Sequence, residues 1–140
     1  EIENKITSKA ITSNSKQEKN ELESMFNIDL NYLKEFSGGD SGFMKEMIVM
    51  FLEQMPQEIS KLSSLLANEE WYQLGKLAHK MKPNYLMMGM ENQKSIAKSI
   101  EEMCLGENIN TLEVKELSNQ LIADTQIAMP LIEAELAKFV

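Results

Sequence analysis

Apolar residues recur along this chain at three- and four-residue steps, and no segment alternates with the period of two that a half-buried strand requires. From about Ser41 to Ala67, Phe43, Met47, Phe51, Met55, Ile59, Leu62 and Leu66 keep the helical spacing. The first half of that segment is apolar around most of its circumference, as expected of a helix with more than one neighbour. Pro56 should bend this helix or divide it. Asn68 is the expected cap of the next helix, with Glu69 and Glu70 in a first turn where the helix dipole favours acid. Trp71, Leu74, Ala78, Met81, Tyr85 and Met88 then form an unbroken stripe that Gly89 ends. A further helix from about Glu91 to Leu105 gathers Ile96, Ala97, Ile100, Met103 and Cys104 on one side, before Gly106. The last begins at Asn110, with Glu113 three residues on as in a capping box. It carries Val114, Leu117, Leu121, Ala128, Ile132 and Leu136, with a bend expected at Pro130. Ahead of these, Asp29 can cap a short helix over "LNYLKEF", and Gly38 and Gly39 stop it.

Helices of this length joined by short polar turns pack best as an up-and-down bundle. The expected fold is all-α: a four-helix bundle with a short leading helix, occupying residues 25–140. Residues 1–24 are rich in Ser, Asn, Lys and Glu with few apolar positions, and read as a linker or a loosely helical arm. The first residue is not Met, which leads to the expectation of a fragment of a larger protein. There is no apolar h-region of a signal peptide and no apolar run of the roughly 18 to 20 residues that spans a bilayer. With one cysteine, Cys104, the chain has no internal disulfide, which fits a reducing, cytoplasmic setting.

Charge narrows the chemistry. The net charge of −8 argues against nucleic acid as a partner, because a phosphate backbone needs a basic footprint. All 14 basic residues are lysines, so bidentate arginine clamps are unavailable. One His and one Cys do not make a typical zinc site, and no metal or cofactor is expected on this chain.

The single histidine, His79, remains. At about 100° per residue it lies one step off the buried stripe that contains Ala78. Its neighbours on the same helical face are Gly75, Lys76, Lys82 and Pro83, with Lys80 adjacent in sequence. Two are small or flat and two are cations, so the ring is expected in an exposed clearing that a partner surface can approach. The lysines favour a dianionic group near the imidazole and an acidic partner. Pro83 has no N–H for the carbonyl of His79, a costly feature inside a helix. Against this stands the bland reading, a solvated surface histidine on a helix whose stripe is simply core.

The stretch "AHKMKPNYLMMGM", Ala78 to Met90, resembles the signature of histidine phosphotransfer (HPt) domains: His, Lys at plus three, a small residue at plus four and Gly at plus ten. His79, Lys82 and Gly89 match, as do Ala78, Met81 and Met88. Pro83 and Asn84 depart from the more usual Gly and Ser. The resemblance covers roughly Leu30 to Phe139. It implies a bundle that carries a phosphoryl group on Nε2 of His79, with Lys82 beside the phosphoryl oxygens. A Gln that many members place against the other ring nitrogen corresponds to Glu101. Gly75, Lys76, Lys80, Pro83 and Gly89 would belong to the partner-facing surface. The implied partners are receiver domains of a hybrid histidine kinase and of response regulators, which would supply Mg²⁺ themselves. On this reading the chain is a monomeric carrier without kinase activity of its own, the carboxy-terminal module of a bacterial hybrid sensor kinase. The alternative is a helical adaptor that docks receiver domains without phosphotransfer. A kinase dimerisation hairpin fits less well, because Lys80 stands where that family has an acid. Membrane-surface binding lacks a strongly basic face.

Overall fold

The computed structural model describes residues 28–139; the arm read at 1–24 lies outside them. Five helices follow in order: α1 (Asn31–Phe36), α2 (Ser41–Ala67), α3 (Trp71–Met87), α4 (Glu91–Leu105) and α5 (Thr111–Leu136). Helix α2 packs on α3, α3 most extensively on α4, α4 on α5, and α5 back on α2, which closes an up-and-down four-helix ring. The short α1 rests on α2 and α3. The all-α bundle expected from the hydrophobic spacing is the observed fold.

The helix boundaries have local causes. Asp40 accepts a hydrogen bond from the Phe43 amide at 3.1 Å and starts α2; Asn110 does the same for Glu113 at 3.1 Å and starts α5. Before α1, Asp29 accepts from the Asn31 amide at 2.9 Å. Asn68 departs from expectation. It closes α2 instead of opening α3, because its backbone stays near helical values (φ −89°, ψ 1°) and its amide bonds Ser64. Glu69 then takes the left-handed conformation (φ 54°), and the Glu70 amide reaches back to the Leu65 carbonyl at 3.0 Å. Pro56, Pro83 and Pro130 each lie on an exposed side of a helix that continues through them, so none divides its helix.

The core is the set of stripes brought together. In α3, Leu74, Ala78, Met81 and Tyr85 are buried, with Met88 just beyond its end, while Trp71 is half-buried. In α2 the early stripe sits one residue on from the expected one: Met44 and Ile48 are buried, and Phe43 and Met47 are half-buried. A segment apolar all round does not fix its own rotation; the helices packed around it do. Phe36 stacks on Phe43 with ring centroids 6.1 Å apart, which holds Phe43 at the rim. Leu117 and Leu136 of α5 are likewise half-buried.

Candidate functional site

The α3–α4 hairpin sets the site. Gly89 turns the chain in the left-handed conformation (φ 69°), and the Met90 amide reaches back to the Tyr85 carbonyl at 2.9 Å. His79 and Glu101 each lie eleven residues from Met90, on opposite sides of this turn. In antiparallel helices with equal rise per residue, they must therefore stand level.

They meet directly. His79 Nδ1 lies 2.6 Å from Glu101 Oε2, and Lys82 Nζ lies 2.5 Å from Glu101 Oε1. One carboxylate from α4 thus holds both α3 side chains. Glu101 is 17% exposed, Lys82 22% and His79 67%, so the ring projects to solvent from a half-covered base. The Lys82 hydrogen bond, reinforced by that of His79, keeps the Glu101 carboxyl below its ordinary value against the opposing effect of desolvation. An ionised carboxylate only accepts, so Nδ1 carries the shared proton and Nε2 keeps its lone pair. The exposed imidazole is therefore held in one tautomer, with its nucleophilic nitrogen open.

The remaining expected site residues divide. Lys76, Lys80 and Pro83 are exposed on the α3 face that carries His79. Gly75 is not part of an open clearing: it is buried, and a Cβ there would come 2.8 Å from Cys104 Cβ and 3.0 Å from Leu105 Cγ. Its missing side chain makes room for α4, so its task is close helix approach. Gly89 is half-buried, and a Cβ on it would meet the Asp29 carbonyl oxygen at 2.2 Å. The Asp29 amide donates to the Met88 carbonyl at 3.1 Å, so Gly89 serves the turn under the chain that enters α1.

Glu58 is a participant that the hydrophobic spacing did not single out. It is buried on α2, accepts from Asn84 Nδ2 at 3.3 Å, and sits 3.8 Å from Lys80 Nζ. Its signal in the sequence is an acid inside an apolar stripe, between Met55 and Leu62. Two carboxylates from the flanking helices therefore face one lysine each, which reduces the positive patch expected around His79.

Together these features define a class: an antiparallel helical bundle that presents one tautomer-fixed imidazole from the middle of a helix. The family model of the Hpt domain matches residues 46–138, from α2 to beyond α5, and the chain belongs to this family. It is thus a histidine carrier of the phosphorelay type. No curated protein and no solved structure matches the chain.

Proposed function

We propose that His79 accepts a phosphoryl group from the aspartyl phosphate of one receiver domain and passes it to the aspartate of another. The observation that carries this reading is the Glu101–His79 contact on a ring two-thirds open to solvent. The Nε2 lone pair attacks phosphorus in line as the aspartate carboxylate leaves. The ring then carries a positive charge, with the Nδ1 proton held against Glu101. In the return step the N–P bond breaks, its electron pair stays on Nε2, and neutral imidazole is regenerated. Lys82 has three N–H donors and spends one on Glu101, so the others are available to phosphoryl oxygens. We assign the Mg²⁺ of the reaction to the receiver domain. No helix of the described residues is long and apolar enough to cross a membrane. We place the domain at the cytoplasmic end of a hybrid sensor kinase, acting as a monomer.

The test is to mix the protein with a phosphorylated receiver domain and Mg²⁺, then assay acid-labile, base-stable label. Wild type is expected to take up label and His79→Gln none, with both folded alike by circular dichroism. Receiver binding without label on wild type would favour the non-transferring adaptor instead.

A further inference from the structure

Of the three lysines around His79, two are engaged by carboxylates: Lys82 by Glu101 and Lys80 by Glu58. Lys76 has no carboxylate partner among the described residues. Its ammonium instead sits over the Tyr72 ring, 5.3 Å from the centroid. Tyr72 is 61% exposed, although it is a large aromatic residue, and Leu105 is 44% exposed beside the space left by Gly75. Tyr72, Lys76 and His79 follow at steps of four and three, so they share one face of α3.

We propose that the Tyr72–Lys76 pair is the specificity-determining contact for the acidic rim of the protein that exchanges phosphoryl with His79. This rests on the carrier reading above. A phosphoryl-bearing aspartate that binds Mg²⁺ stands among further carboxylates, and their field must be met by positive charge on the carrier. Lys80 and Lys82 each face a carboxylate that offsets part of their charge, whereas Lys76 has none opposite it among the described residues and supplies its charge in full. The aromatic ring holds the ammonium by its face without neutralising it. Its position on the docking face is thereby set beforehand, which lowers the ordering cost of association. Tyr72 and Leu105 add exposed apolar area beside it, the composition typical of an interface core. Lys82, by contrast, points its remaining donors at the phosphoryl group itself.

The experiment uses one receiver domain that exchanges phosphoryl with the wild-type protein, measured as KM and kcat at low and high salt. Lys76→Glu should raise KM by roughly tenfold or more at low salt, with kcat within about twofold of wild type. That difference should shrink when salt screens the contact. Lys76→Arg, which keeps the charge and the ring contact, should restore KM to near wild type. Lys45→Glu makes the same charge change on α2, about 25 Å along the bundle at 1.5 Å per residue, and should leave KM as it was. The inference is overturned if Lys76→Glu matches wild type in KM and salt response, or if Lys45→Glu raises KM equally. A wild-type protein that takes no label from the receiver or from phosphoramidate would instead refute the carrier reading itself.

Discussion

Replacing Gly89 by alanine tests how the hairpin that aligns His79 with Glu101 is held. Two costs can be separated. The left-handed backbone at Gly89 (φ 69°) disfavours any Cβ by roughly 1–2 kcal/mol. The second cost is steric: the new Cβ would lie 2.2 Å from the Asp29 carbonyl oxygen and 2.7 Å from its amide nitrogen. These are backbone atoms, so no side-chain rotation relieves the clash. The segment entering α1 must move, which breaks the bond from the Asp29 amide to the Met88 carbonyl, at a net cost of about 1 kcal/mol. The sum is about 2–3 kcal/mol before any loosening around buried Leu33 is counted. Gly38 isolates the first cost, since it is also left-handed (φ 66°) but a Cβ added there would meet nothing within 4 Å. Gly38→Ala should therefore cost only about 1 kcal/mol. In urea unfolding followed by circular dichroism, with a slope of about 1.5 kcal/mol per molar, Gly89→Ala should lower the midpoint by about 1.5–2 M. Gly38→Ala should lower it by less than half as much. Equal shifts for the two variants would refute the argument from the Asp29 contact.

Other consequences are open to direct measurement. The Glu101 carboxyl is held below its ordinary value in the folded protein, so the native state binds that proton less readily than the unfolded chain does. Its contribution is complete above the usual carboxylate range and is lost as pH falls through the lowered folded value. Glu101→Gln should thus flatten the fall in stability below about pH 5; an acid limb as steep as that of wild type would contradict this. Thr125 Oγ donates to the Leu121 carbonyl at 2.7 Å, so Tyr85 donates to Thr125, also at 2.7 Å. Tyr85→Phe should cost about 1 kcal/mol in urea unfolding, and no loss would show the bond to be dispensable. Burial pushes the Cys104 thiol up to about 11. At pH 8 a disulfide reagent should modify it only as fast as the bundle opens, and rapid stoichiometric reaction in the native protein would disprove its burial.

The hydrophobic spacing carried most of the architecture. The bounds of α4, the stripe of α3 and the capping residue of α5 follow from periodicity and cap chemistry, which are local. The exposure of His79 was legible for the same reason, since one residue past buried Ala78 lies about 100° around the helix. Features decided by neighbouring helices were not legible in the spacing; Glu101 was placed against the ring only by the resemblance. Gly75 occupies the same helical face as His79, and only the position of α4 turns it from a clearing into a packing contact. The lysines read as a positive patch because Glu58 and Glu101 are far away in sequence. The rotation of early α2, which buries Met44 and Ile48 and leaves Phe43 at the rim against Phe36, depends on the helices packed around it. Asn68 has the chemistry of an opening cap, yet the unsatisfied carbonyls of α2 claim the amides that follow it.

The most direct test of the whole account is the bonding of phosphorus to the imidazole. With ¹⁵N-labelled protein phosphorylated by a receiver domain, the account predicts ³¹P–¹⁵N coupling to Nε2 of His79, while Nδ1 keeps its proton. Phosphorus coupled to Nδ1, or found on any other residue, would contradict it.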